Sequence, residues 1–113
     1  MSLETKDNIN PDHYKSSTSL ECIEAMELVF GKSVVIDFCV CNAWKYIWRW
    51  KNKNGVEDLK KANWYVLRAC ESIYESSFPE KCELSEKYSA ILSRMREYIE
   101  ANNALQEEND NDR

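Results

Sequence analysis

The sequence predicts an all-α protein: a small helical bundle of about four helices behind an extended N-terminal arm. Three observations lead there. Apolar residues recur every three or four positions from residue 18 to residue 106, the spacing of one helix face. Breakers are scarce, with Gly31, Gly55 and Pro79 falling where helices would end. The one β-rich stretch, Val34 to Val40, runs without a turn residue into the helix-compatible segment Cys41 to Lys53. A chain of 113 residues supports a single core.

Each element has its own signal. Residues 1–17 are polar, contain Pro11 and have no period, so they read as the arm. A helical core over 18–76 follows. Thr18 and Glu21 form a capping box for the first helix, which carries Leu20, Ile23, Met26 and Phe30 inward and stops at Gly31. The second helix should run from about Ser33 to Lys53. Its apolar stripe of Val35, Phe38, Cys39, Asn42, Ala43, Tyr46, Ile47 and Trp50 widens through Val40, Trp44 and Trp48, which suits a central helix or one covered by a partner. Asn54 and Glu57 suggest a second capping box, opening a third helix to Glu75 with Leu59, Ala62, Val66, Ala69, Cys70 and Ile73 inward. The short turn makes these two helices antiparallel.

After the break at Ser77-Phe78-Pro79 comes a fourth, amphipathic helix over 83–106. Leu84, Tyr88, Ile91, Met95, Tyr98, Asn102 and Leu105 follow a heptad spacing, and Leu92 and Ile99 widen it. The pattern fits a helix covering its own bundle or one that self-associates, and a homo-oligomer is expected. Residues 107–113 are charged or asparagine, and read as a disordered acidic tail.

Composition excludes several chemistries. Two glycines cannot build a Walker or Rossmann phosphate loop, and the single His13 rules out histidine-rich zinc sites. Five cysteines (Cys22, Cys39, Cys41, Cys70, Cys82) form an odd set without a C-x-x-C pair, which points to a reducing compartment and to core roles. No apolar run reaches the roughly 20 residues of a membrane span, so no membrane partner is expected. The net charge is -5. Its distribution is uneven: Lys45, Arg49, Lys51, Lys53, Lys60 and Lys61 against Glu57 and Asp58 make the middle +4. That basic segment is short and partly neutralised, so nucleic acid is not an expected partner.

Asn42, Lys45, Arg49 and Lys53 form one ridge of the second helix. Lysine and arginine suit phosphate oxygens, and Trp44, Tyr46, Trp48 and Trp50 offer stacking faces. Equally, Lys45 or Arg49 could pair with Glu57, Asp58 or Glu21 at the mouth of the helix pair, with the tryptophans as core. Glu21-x-x-Glu24 could hold magnesium, although such pairs are usually solvated.

Four blocks occur in order: Pro11-Asp12-His13-Tyr14; Glu21-Cys22-Ile23-Glu24; Asn42-Ala43-Trp44-Lys45-Tyr46-Ile47-Trp48-Arg49; and Lys53-Asn54-Gly55-Val56-Glu57-Asp58-Leu59-Lys60-Lys61-Ala62 with Tyr65. In this order they resemble the SaV-like family of small bacteriophage proteins, over about Ile9 to Leu67. Cys41 departs from the glycine common there. The resemblance implies a phage protein acting in the host bacterial cytoplasm by binding a host protein, of the kind that confers sensitivity to a host abortive-infection system. The alternative it implies is a nucleotide kinase or nucleotide-binding protein acting on nucleoside monophosphates. Enzymatic activity is thus left open, with no cofactor expected beyond a nucleotide with magnesium if the kinase reading holds. The matching site residues are His13, Tyr14, Glu21, Asn42, Lys45, Tyr46, Arg49, Asp58, Lys61 and Tyr65, without individual catalytic roles.

Overall fold

The computed structural model describes residues 22–111, with side chains to residue 106. The arm at 1–17, the Thr18 capping box and the site candidates His13, Tyr14 and Glu21 lie outside the described residues. Among the described residues all regular structure is helical, and there is no strand. The fold is all-α, as the sequence predicts.

The chain divides into two compact units, Met1–Val35 and Ile36–Arg113. In the first, helix α1 covers 22–30. Gly31 ends it with φ of 92°, a left-handed conformation that only glycine adopts without strain, while its N–H donates to the Glu27 carbonyl at 2.9 Å. Lys32 closes the corner with a 2.9 Å ion pair to Glu27. Helix α2, Lys32–Arg49, starts in this unit and continues into the next.

The second unit holds the rest of α2, a 3-10 turn at Trp50–Asn52, helix α3 (Val56–Glu75) and helix α4 (Glu80–Asn111). Its core draws Ile36, Cys39, Ala43 and Trp50 from the first segment, Leu59, Ala62, Val66 and Ala69 from α3, and Leu84, Tyr88, Leu92, Met95 and Ile99 from α4. Fully burying each large aliphatic or aromatic side chain among them stabilises the fold by about 1.5–3 kcal/mol. The Trp50 indole N–H donates to the Tyr98 hydroxyl at 3.1 Å, joining the 3-10 turn to α4.

Several expectations shift. Helix α2 ends at Arg49 rather than Lys53, because the chain tightens into the 3-10 turn and then turns back through Gly55 at φ 64°. The Asn54–Glu57 capping box is not formed. Gly55 occupies the N-cap, and the side chain that reaches back across the helix start is Asp58, three residues beyond the cap. Helix α4 starts earlier, at Glu80, and its backbone stays helical to Asn111, so 107–111 continue the helix rather than form a disordered end. Of the five cysteines, only Cys39 is a core residue; Cys70 is half-buried and Cys22, Cys41 and Cys82 are exposed.

The seam of α4 also differs from the heptad reading. Its buried line is Leu84, Tyr88, Leu92, Met95 and Ile99, spaced four, four, three and four. Ile91, Tyr98 and Leu105, the other half of the expected seam, are exposed. Both stripes are apolar, and the one facing α3 is rotated by one position from the pattern the heptad favours.

Candidate functional site

Seven of the ten sequence candidates gather on the α2–α3 hairpin, centred on Asp58. This carboxylate has no solvent exposure, yet it sits at the start of a helix, where unpaired backbone N–H groups favour an anion. The Arg49 guanidinium grips it as a fork, with Nε donating to Oδ2 at 3.1 Å and Nη2 to Oδ1 at 3.3 Å. Asn54 supplies the other two bonds, its backbone N–H donating to Oδ2 at 3.3 Å and its amide Nδ2 to Oδ1 at 3.2 Å. Burial alone would push the Asp58 carboxyl up, but the bonds from Arg49 and Asn54 outweigh it and hold the group below the ordinary carboxylate range. Asp58 is therefore ionised and saturated. It fixes the end of α2 against the start of α3, and Arg49 is engaged there as an ion pair.

Around this anchor lies an aromatic and cationic cluster. The rings of Tyr46 and Tyr65 stack at 6.0 Å with 14° between planes, and Phe38 and Trp64 meet Tyr65 edge-on at 6.1 and 5.0 Å. Three cations approach the Tyr46 ring: Lys45 and Arg49 at 4.7 Å and Lys61 at 5.6 Å from its centroid. Such contacts are each worth about 0.5–1 kcal/mol where exposed. Asn42 sits one turn above Tyr46 and donates its amide to its own helix, at the Phe38 carbonyl, 3.0 Å away. Lys53 leaves the expected ridge, since it falls in the turn after the 3-10 segment.

The four aromatics expected to offer faces therefore divide. Tyr46 is covered by Tyr65, and Trp50 is buried and bonded to Tyr98. Trp44 and Trp48 remain outside, 53% and 76% exposed, with ring centroids 6.0 Å apart one turn along α2. Side by side, the two rings form an exposed apolar patch on α2.

Two features lay beyond the reach of pattern reading. Asn54 is a ligand of Asp58 rather than a helix cap, and only the Gly55 turn brings its N–H into range. A groove of about 330 Å³ also runs between α3 and α4, lined among others by Cys70, Tyr74, Lys81, Ser85, Ser89 and Arg96. Burial pushes the Cys70 thiol up against the milder opposing influence of Arg96, so this cysteine is not a poised nucleophile. Among the described residues no three metal-ligating side chains come together, and no helix is long and apolar enough to cross a membrane.

Residues 9–67, just over half of the chain, match the profile of a family described as a protein of unknown function, DUF3310. The chain belongs to the DUF3310 family. The DUF3310 segment takes in the Asp58 anchor, the tyrosine stack and the tryptophan pair, and ends at Leu67 within α3. Helix α4 lies outside it. No curated protein and no solved structure matches the chain.

Proposed function

We propose that this DUF3310 protein is a protein-binding module whose contact surface is the outer face of α2, centred on Trp44 and Trp48. The observation that carries the reading is the exposure of that tryptophan pair beside Lys45, on a helix whose other face is held rigidly by the Asp58 anchor. Tryptophan is the residue type most concentrated at the energetic centres of interfaces, and a rigid support lowers the ordering cost of binding. The neighbouring cations favour a partner with acidic groups around an apolar pocket. The resemblance to SaV-like phage proteins supports a host protein in the bacterial cytoplasm as that partner, of the kind through which a phage becomes sensitive to abortive infection.

A nucleotide reading draws on one observation, the gathering of Lys45, Lys61 and Arg49 around Tyr46. Arg49 is already forked onto Asp58, which leaves the two lysines to meet a phosphate. Two measurements separate the readings. Calorimetry against nucleoside monophosphates and triphosphates, with and without magnesium, should show no saturable binding; binding that disappears in Lys45→Ala would favour the nucleotide. Affinity capture from a bacterial lysate should enrich a host protein that purified Trp44→Ala/Trp48→Ala protein fails to retain. If capture is the same with and without the tryptophans, the α2 surface is not the interface.

A further inference from the structure

The groove between α3 and α4 has an apolar floor and a cationic mouth. Its volume of about 330 Å³ falls within the range of small-molecule sites. Ile73, Cys70 and the buried Leu92 make the floor, where burial keeps the Cys70 thiol protonated and neutral. At the mouth the Lys81 ammonium rests 5.0 Å from the centre of the Tyr74 ring and 5.5 Å from that of Phe78, so two rings hold it in place. Ser85, Ser89 and Ser93 follow it along α4 at one-turn spacing. Among the described residues Lys81 has no acidic partner, and the hydroxyls of Ser85 and Ser93 have no hydrogen bond. Among those residues no carboxylate lines the groove. Glu80 and Glu83 lie about 150° round the helix from the line of Lys81, Ser85 and Ser89, and Glu86 lies about 100° from it. Glu100 is bonded to Arg96 at 3.1 Å.

We propose that this groove binds a small anion with an apolar tail, a medium-chain acyl carboxylate, its head at Lys81 and its tail along the floor toward Leu92. Charge decides where the head goes. Arg96, the other cation of the lining, is already paired with Glu100, which leaves Lys81 uncompensated. Ser85, one turn on, has a hydroxyl to donate to the same carboxylate. From Lys81 to Leu92 is about 16 Å along the helix axis, the reach of an acyl tail rather than of an acetate-sized ion. Each methylene laid on the floor leaves water, so affinity should rise with tail length. Every lining residue lies beyond Leu67, outside the DUF3310 segment, and the site does not depend on what the α2 face binds.

Calorimetry of the full chain with decanoate, kept below its micelle-forming concentration, tests it. The parent should bind decanoate saturably, one to a chain. Hexanoate and decanol should each bind about tenfold more weakly or worse, the first for want of tail and the second for want of charge. Lys81→Met keeps an unbranched apolar side chain at the mouth and removes the charge, so decanoate should weaken by about tenfold while decanol is unaffected. Ser89→Phe fills the groove and should abolish decanoate binding. Trp44→Ala/Trp48→Ala protein should bind decanoate like the parent, which separates this groove from the α2 face. Circular dichroism on each variant checks that the helices are intact; Lys81 is half-buried and Ser89 exposed, so folding should be unaffected. A parent that shows no saturable decanoate binding overturns the proposal. So does equal affinity for decanol, indifference to either groove variant, or loss of binding in the tryptophan variant.

Discussion

At the turn between α2 and α3 the chain buries a charge; along α4 it buries almost only carbon. The Asp58 carboxylate leaves water completely and is repaid through four hydrogen bonds from two residues. The α4 seam of Leu84, Leu92, Met95 and Ile99 loses nothing polar, and its one hydroxyl, on Tyr88, finds no partner among the described residues. Geometry is what the charged anchor supplies: four directional bonds admit one angle between two helices. Burial without direction is what the seam supplies, and the Trp50–Tyr98 hydrogen bond adds a directional contact from α4 to the turn. It fits this division that the DUF3310 match covers the anchored region and stops short of α4.

The sharpest way to break the comparison is to cut each side in turn. Ile99→Ala removes a side chain that is 1% exposed and should cost about 4 kcal/mol by urea unfolding, with no dependence on pH or salt beyond the parent's. A loss under about 1 kcal/mol would show that the seam collapses around the gap, or that α4 is held elsewhere.

Asp58→Ala should cost about 3 kcal/mol, because it strands the Arg49 guanidinium and the Asn54 N–H together. This loss, unlike the first, should carry a pH signature. The folded carboxyl sits below its unfolded value, so the stability it adds is fully present above the unfolded value and fades as pH falls through the folded one. Unfolding curves between pH 7 and pH 2 should therefore show a shallower acid decline in Asp58→Asn than in the parent. Equal declines would mean that other carboxylates dominate.

Arg49→Lys keeps the charge and gives up the fork, so a loss of about 1 kcal/mol is expected. With Arg49 forked onto Asp58, the main effect of this substitution falls on stability. Tyr88→Phe removes a buried hydroxyl without a partner and should leave stability unchanged within about 0.5 kcal/mol or raise it. Trp48→Ala, on the exposed face, should shift stability by no more than about 0.5 kcal/mol while abolishing partner capture. A larger shift would make that tryptophan part of the core.

Most of the fold was legible because helical spacing is a strong code where one face alone is apolar. Leu59, Ala62, Val66 and Ala69 are inward by pattern and have no exposure in the structure. The code fails on α4, where Ile91 and Leu92, or Tyr98 and Ile99, offer adjacent apolar positions and only the packing against α3 chooses between them. It fails again at residue 54, since a capping box and a bond to Asp58 draw on the same asparagine and the Gly55 turn decides. The candidate site was legible as a set: Asn42, Lys45, Tyr46, Arg49, Asp58, Lys61 and Tyr65 do sit on one hairpin. Which of them face each other was not, because a carboxylate near a helix start is usually solvated and nothing local marks Asp58 as the acid that goes inside while Glu57 stays out.

The two fastenings of the 3-10 turn also differ in how far they reach along the chain. Arg49 and Asp58 are nine residues apart, whereas Trp50 and Tyr98 are separated by 48. Closing the longer loop costs about 1.5 kcal/mol more chain entropy, and nothing rewards that cost until α4 has formed and swung back. The order of assembly expected from this spacing has the hairpin closing first, with the long helix condensing on it. Substitutions at Asp58 should then slow refolding, whereas Tyr98→Phe should chiefly hasten unfolding, a kinetic asymmetry written into the chain by the spacing of two hydrogen bonds.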